Sequence, residues 1–145
     1  MIKNRLIKNA KKIDNFLINY LKRQGRSLLV KPMKYGVIGG GKKIRSTIIF
    51  DAGKIFNLSQ KKLINVCASV ECIHSYSLIH DDLPCMDNDL IRRGKPSTHV
   101  KYGEASAVLA GNSLLTLAFE IISDKSFNLN PKLKNELTKS LAFCS

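Results

Sequence analysis

Large apolar residues recur at three- and four-residue steps along nearly the whole chain, the spacing that places side chains on one face of an α-helix. Leu6, Ala10, Ile13, Leu17 and Leu21 follow it, so residues 2 to 23 are predicted as one amphipathic helix. Pro32 suits the start of a short helix, which Gly39, Gly40 and Gly41 then break. Ile44, Ile48, Ala52 and Ile55 mark the next. Ser59 stands at an N-cap position before a long helix on Leu63, Val66, Cys67, Val70, His74, Ser77 and Leu78. Pro84 should stop that helix near Asp82 or Leu83, because the residue before a proline avoids helical geometry. After a polar loop, Val108, Leu109, Leu115, Phe119 and Ile122 define a further helix, and Pro131 opens a last one through Leu133, Leu137 and Leu141. No stretch alternates as a strand does and nothing repeats, so the expected fold class is all-α. The last helix reaches Ser145 with no glycine, asparagine or proline to end it, and its leucine stripe needs a partner face. The expectation is a truncated fold.

A length of 145 residues with 44% hydrophobic and 24% charged side chains fits one globular domain and excludes wholesale disorder. Cys67, Cys72, Cys85 and Cys144 form no CxxC pair and no metal-ligand spacing with His74, His80 or His99, as free thiols of a reducing compartment do. The stretch Ala105 to Ile122 is the most apolar, but Asn112, Ser113 and Glu120 interrupt it, so a buried helix is expected instead of a membrane span. Lysines scattered through the N-terminus argue against a signal peptide, and the expected location is the cytoplasm.

Charge is unevenly placed. Residues 1 to 62 carry 16 basic and 2 acidic side chains, a net of +14, while residues 63 to 145 carry 8 and 9, a net of −1. Such a cationic front half suits nucleic acid, anionic lipid or a phosphorylated substrate. Lysine supplies 18 of the 24 basic residues, and codon bias accounts for such an excess equally well. Nucleic acid is disfavoured, because 7% aromatic residues without tryptophan give poor base stacking.

Against this background, four of the 11 acidic residues lie within Asp81–Asp89. Carboxylates without histidine or thiolate favour hard Mg²⁺, and like charges so close need a cation between them. On an unbroken helix six residues turn about 600°, which leaves Asp81 and Asp87 about 120° apart around the axis, on different faces. Pro84 removes that obstacle by letting a loop fold Asp87 back towards Asp81. A solvated acidic loop explains the carboxylates alone equally well.

Three further features bear on that choice. His74 precedes Asp81 by seven residues, about two helical turns, so both project from one side. Arg92, Arg93 and Lys95 place anion-binding groups directly after the acids. Gly39-Gly40-Gly41-Lys42-Lys43-Ile44-Arg45 exposes backbone N–H groups at a helix start, with Lys42 and Arg45 three apart on a shared face. A P-loop is rejected, since Lys43 stands where Ser or Thr must hold Mg²⁺ and no strand precedes it. The sum is two cationic anion sites flanking one acidic metal site.

The stretches YGVIGGGKKIRS, ECIHSYSLIHDDLPCMDNDLIRRGKPSTHVKYGEASAVLAGNSLL and TLAFEII resemble, in order and spacing, the N-terminal half of bacterial short-chain isoprenyl diphosphate synthases of the farnesyl diphosphate synthase type. The likeness runs from about residue 35 to residue 122. It implies an incomplete polyprenyl synthetase domain over residues 1–145, in a helical fold that is homodimeric when complete. The implied reaction is Mg²⁺-dependent condensation of isopentenyl diphosphate with dimethylallyl or geranyl diphosphate to farnesyl diphosphate. By resemblance, Asp81 and Asp87, with Asp82 assisting, hold two or more Mg²⁺ ions, and Arg92 contacts the allylic diphosphate. Lys42, Arg45, His74 and Arg93 grip isopentenyl diphosphate. Tyr76 and Ser77 limit product length. Gly39, Ser46 and Asn88 depart from the family pattern without removing a named ligand. The family's second aspartate-rich motif is not found after Ile122, so the 145 residues alone are expected to be nearly inactive. A fragment or remnant without activity, or a basic binding protein, are the competing expectations.

Overall fold

The helical periodicity is realised almost where it is expected. In the computed structural model, which describes residues 2–145, the helices are α1 (Ile2–Leu21), α2 (Val30–Val37), α3 (Ile44–Ile55), α4 (Gln60–Asp81), α5 (Thr98–Tyr102), α6 (Glu104–Ser123) and α7 (Pro131–Phe143). The chain is all-α apart from one two-residue hairpin, β1 (Ile91–Arg92) with β2 (Lys95–Pro96), which pairs Ile91 with Pro96 and Arg92 with Lys95. That hairpin and the short α5 lie where only a polar loop was expected, because two-residue strands are too short to show alternation.

Sequence punctuation explains the ends. Asp82 is the C-cap of α4, two residues before Pro84. Pro32 sits in the first turn of α2, where its missing N–H leaves no bond unmade. Asn130 caps α7, its Oδ1 accepting from the Lys132 amide at 2.8 Å, with Pro131 at the first helical position. Ser59 occupies the N-cap of α4 in extended geometry, yet its side chain makes no capping bond.

The core runs along the contact between α4 and α6, flanked by α1, α2 and α3. On α6 this contact uses Ala107, Ala110, Gly111, Leu114 and Ala118, and on α4 it uses Ala68, Ser69 and Cys72. Small residues let the two backbones approach, and the polar ones are bonded across. Ser69 Oγ donates to the Ala118 carbonyl at 2.8 Å, and Asn65 Nδ2 donates to the Ile121 carbonyl at 3.2 Å. The helix α6 is long and apolar enough to cross a membrane by length and composition, with mean hydropathy 1.6, but it serves here as a core helix.

Three helices bury a face that matches only in part the one their aliphatic spacing marks, although Cys67 on α4 and Ile122 on α6 are buried as expected. On α3, Ile44, Ile48 and Ile55 are 52%, 63% and 78% exposed, while Ser46, Thr47, Phe50 and Gly53 are buried. On α4, Val66, Val70, His74 and Ser77 are only half-buried; on α6, Val108 and Leu109 face outwards. Each of these helices is apolar on more than one side, so the largest residues do not identify the packed face. By contrast α1 behaves as expected, fully burying Ile13, Leu17 and Leu21, each contributing about 2 kcal/mol. Tyr20 Oη ties α1 to the end of α6 by donating to Asp124 Oδ2 at 2.8 Å. The leucine stripe of α7 is partly covered, with Leu137 and Leu141 half-buried and Leu133 exposed.

Candidate functional site

The chain reverses as α4 ends. Leu83 and Pro84 start a tight turn in which the Met86 and Asn88 amides donate to the Leu83 carbonyl at 2.9 and 3.0 Å. Asn88 adopts a left-handed φ of 53°, which asparagine tolerates well. The Asp87 amide then donates to the Asp81 carbonyl at 2.8 Å. The loop after Pro84 therefore does carry Asp87 back beside Asp81.

Asp82 has a different environment from its neighbours. Its carboxylate is buried, and Arg92 Nε donates to its two oxygens at 2.9 and 3.2 Å while Nη2 also reaches Oδ1. Arg92 Nη2 further contacts Asp89 at 3.0 Å. The hydrogen bond to Asp82 pushes the Arg92 guanidinium pKa above its ordinary value. This bidentate pair locks β1 onto the end of α4, so Asp82 and Arg92 satisfy each other. Asp81 and Asp87 are left as the carboxylates of the turn that Arg92 does not engage. Among the described residues no three His, Cys, Asp or Glu side chains gather closely enough to hold a metal by themselves.

The hairpin also reaches the glycine loop. Lys95 is engaged with α2: its Nζ donates to the Tyr35 carbonyl at 3.1 Å and lies 4.2 Å from the Tyr35 ring centre. Tyr35 Oη in turn donates to the Pro96 carbonyl at 2.6 Å. Arg93, with φ of 56°, lays its guanidinium on the loop. A Cβ on Gly40 would sit 2.5 Å from Arg93 Nη1, and one on Gly41 2.9 Å from Arg93 Cζ. At Gly41 the left-handed φ of 73° itself favours glycine, and the bare backbone there lets the guanidinium rest on the loop.

Arg45, His74 and Arg93 converge on one cationic cluster. Burial, then the Arg45 charge, holds the His74 imidazole pKa below its ordinary value; Arg93 and Lys43 add to this and Glu71 opposes it. Lys42 lies outside α3. Lys43 is the left-handed N-cap of α3, so Lys42 precedes the helix instead of sharing a face with Arg45. Lys42 lines a separate cleft of about 600 Å³ between the glycine loop and Leu6, Ile7 and Ala10 of α1.

Below the cluster, a cleft of about 350 Å³ runs along α4 past Val70, Ile73, Tyr76 and Ser77 to Leu141 and Cys144 at the end of α7, with Arg45 and His74 also lining it. The Tyr76 ring meets His80 edge-on at 4.7 Å, and Ser77 Oγ donates to the His74 carbonyl at 3.0 Å. His80 Nε2 lies 3.1 Å from the Val108 carbonyl and rests on Gly111, where a Cβ would come within 2.3 Å of it. The cationic cluster thus opens onto the apolar trough, and Arg93 and its neighbour Arg92 connect it to the acidic turn.

Residues 26–142 match the polyprenyl synthetase family model. The chain belongs to the polyprenyl synthetase family. It is 52% identical over 109 residues to a farnesyl diphosphate synthase of Buchnera aphidicola from Acyrthosiphon pisum, covering 75% of this chain and 38% of that protein. It is 54% identical over 96 residues to the farnesyl diphosphate synthase of Escherichia coli K12, covering 66% of this chain and 32% of that one. Among solved structures, an FPP/GFPP synthase from Zymomonas mobilis superposes with a TM-score of 0.86 at 38% identity, covering 99% of this chain and 54% of the other. The chain spans about a third to a half of the length of these family members.

Sequence reasoning missed two parts of this site. The Asp82–Arg92 pair depends on a hairpin too short to signal itself. The burial of Lys43 has no mark beside Lys42, which looks identical in sequence.

Proposed function

We propose that this chain carries the diphosphate-binding face of a farnesyl diphosphate synthase-type prenyltransferase. Isopentenyl diphosphate is held by Arg45, His74 and Arg93 with Lys42 across the loop, and an allylic diphosphate by Asp81 and Asp87 through Mg²⁺ with Arg92 beside them. The observation that carries this reading is the seating of Arg93 on Gly40 and Gly41. Its neighbour Arg92 is anchored on Asp82, so one stretch of backbone ties the anion cluster to the acidic turn. Two diphosphates bound side by side need this combination of charges.

The residues fit Mg²⁺. That ion commonly takes one or two carboxylates and completes its shell with water and substrate phosphate, and Asp81 and Asp87 are the carboxylates of the turn that Arg92 does not engage. Asp82, neutralised by Arg92, supports the turn from behind. Bound there, Mg²⁺ would offset the negative charge that grows on departing pyrophosphate. The protein's own groups do the rest. Arg45, His74 and Arg93 fix the isopentenyl diphosphate so that its double bond faces the allylic carbon as the C–O bond breaks. Val70, Ile73 and Tyr76 offer the apolar trough in which the prenyl chain lies away from water. The Tyr76 ring and Ser77 set how far that chain can grow, which favours fifteen carbons.

The 145 residues alone bind diphosphate without appreciable turnover. Of the two acids after Ile122, Asp124 is engaged by Tyr20, Arg23 and Ser126, and Glu136 stands by itself on α7. The complete enzyme is a cytoplasmic homodimer. Calorimetric titration of isopentenyl diphosphate into the chain and into Arg93→Ala tests the assignment, alongside a product assay with geranyl diphosphate. Binding that weakens at least tenfold in Arg93→Ala, the loss of one charge-assisted contact, is expected. Equal binding by both proteins overturns it.

A further inference from the structure

Beneath the cationic cluster lies a buried charge network that contacts none of the proposed ligands. Lys43 is 4% exposed. Its Nζ donates to the Val37 carbonyl at 2.6 Å and lies 3.6 Å from Asp14 Oδ1 and 3.9 Å from Glu71 Oε2. Asp14 Oδ2 accepts from the Gly39 amide at 3.2 Å. Glu71 Oε1 accepts from the Ser46 amide at 3.3 Å and from Ser46 Oγ at 2.8 Å. The ammonium therefore links α1, the end of α2, the start of α3 and the middle of α4, all around the glycine loop.

Burying one ammonium with two carboxylates is costly, and apolar residues of similar volume commonly serve stability as well or better. Lys43 also holds a left-handed backbone, φ 46° and ψ 49°, which is unfavourable for lysine. That geometry turns its side chain inward while Lys42 and Arg45 on either side stay exposed. The two hydrogen-bonded amides, Gly39 and Ser46, bracket the stretch from the loop to the first turn of α3. With two acids to one ammonium, the network also leaves negative charge behind Arg45, His74 and Arg93, which offsets their mutual repulsion.

We propose that Lys43, seated between Asp14 and Glu71, is the positioning residue of the diphosphate site: it fixes the glycine loop and the start of α3 so that Lys42, Arg45 and Arg93 are held ready for the anion. This rests on the diphosphate reading above. Because coupling is reciprocal, a loop whose order favours binding must itself become more ordered when the anion binds.

Inorganic pyrophosphate is the probe, titrated into the full 145-residue chain. Pyrophosphate is expected to slow hydrogen exchange at the Gly39 and Ser46 amides several-fold, while the Asn65 region is unchanged. Lys43→Met is expected to weaken pyrophosphate binding about tenfold or more, and Lys43→Arg to recover most of it. Asn65→Ala, which loses a buried hydrogen bond far from the loop, is expected to lower stability yet bind as the wild type does. Binding by wild type with unchanged exchange at both amides overturns the positioning role, as does a folded Lys43→Met that binds within about twofold of wild type. Should Lys43→Met fail to fold, the exchange measurement on wild type decides alone. No pyrophosphate binding by wild type would remove the diphosphate reading and this role together.

Discussion

Replacing Asp82 by asparagine separates a structural carboxylate from a metal-binding one. Asp82 keeps 3% of its side chain exposed and Arg92 32%, so the pair is neither fully buried nor free in solvent. Asparagine preserves the shape and one accepting oxygen but removes the charge that three Arg92 contacts share. A hydrogen bond to a charged partner contributes about 1.5–3 kcal/mol net. Water reaching the one-third-exposed Arg92 recovers part of this, so the expected loss is about 1–2 kcal/mol. For a chain of this size each kcal/mol lowers Tm by about 2–4 °C, giving a fall of roughly 2–8 °C by circular dichroism. Hydrogen exchange should speed up in β1 and in the Asp87 amide, because the hairpin loses its anchor. An unchanged Tm together with complete loss of Mg²⁺-dependent diphosphate binding would contradict this reasoning and make Asp82 a direct metal ligand.

Gly111→Ala trades about 1 kcal/mol of helix propensity for a Cβ within 2.3 Å of His80 Nε2, at an overpacking cost of about 1–3 kcal/mol and the His80–Val108 contact. Urea unfolding should show net destabilisation, and a stabilised protein would refute the close packing. For His74, a folded-state pKa below the ordinary 6.5 means the unfolded chain binds the extra proton first. Its contribution is therefore full above pH 6.5, declines as pH falls below that value and levels off under the folded pKa. Arg45, Lys43 and Arg93 face His74 and Glu71 opposes them, so NMR titration should show its pKa rising when pyrophosphate binds, and a fall would contradict its place in the anion cluster. Ile48→Glu on the outward face of α3 should change stability by no more than about 0.5 kcal/mol in denaturant unfolding, and a loss of several times that would show a covered face.

What the sequence made legible follows from local chemistry. Pro84, the glycine triplet and the Asn130–Pro131 pair act on their own backbone, so helix ends and the return of Asp87 to Asp81 were readable. The packed faces of α3, α4 and α6 were not, because these helices are apolar on several sides and the contact of α4 with α6 selects small residues such as Ala110, Gly111 and Ser69. Aliphatic spacing points to Ile48 and Leu109 instead, which stay exposed. The convergence of Arg45 and His74 was implied by the family resemblance and is present in the geometry. Lys42 departed from its expected face because the left-handed turn at Lys43 lies between it and α3, and backbone handedness at a non-glycine residue leaves no mark in the sequence. The exchange of Asp82 from the acidic turn to Arg92 depends on a contact ten residues away through a hairpin of two-residue strands.

On the proposed reading the acidic turn recruits a divalent cation to a diphosphate. This is tested most directly by titrating a non-ionisable allylic diphosphate analogue into the chain with and without Mg²⁺, for wild type and for Asp81→Ala/Asp87→Ala. Mg²⁺-dependent binding by wild type is expected, which the double variant loses while its helical signal and its Mg²⁺-independent affinity for isopentenyl diphosphate remain. Binding that is the same in both proteins, or indifferent to Mg²⁺ in wild type, would contradict that reading.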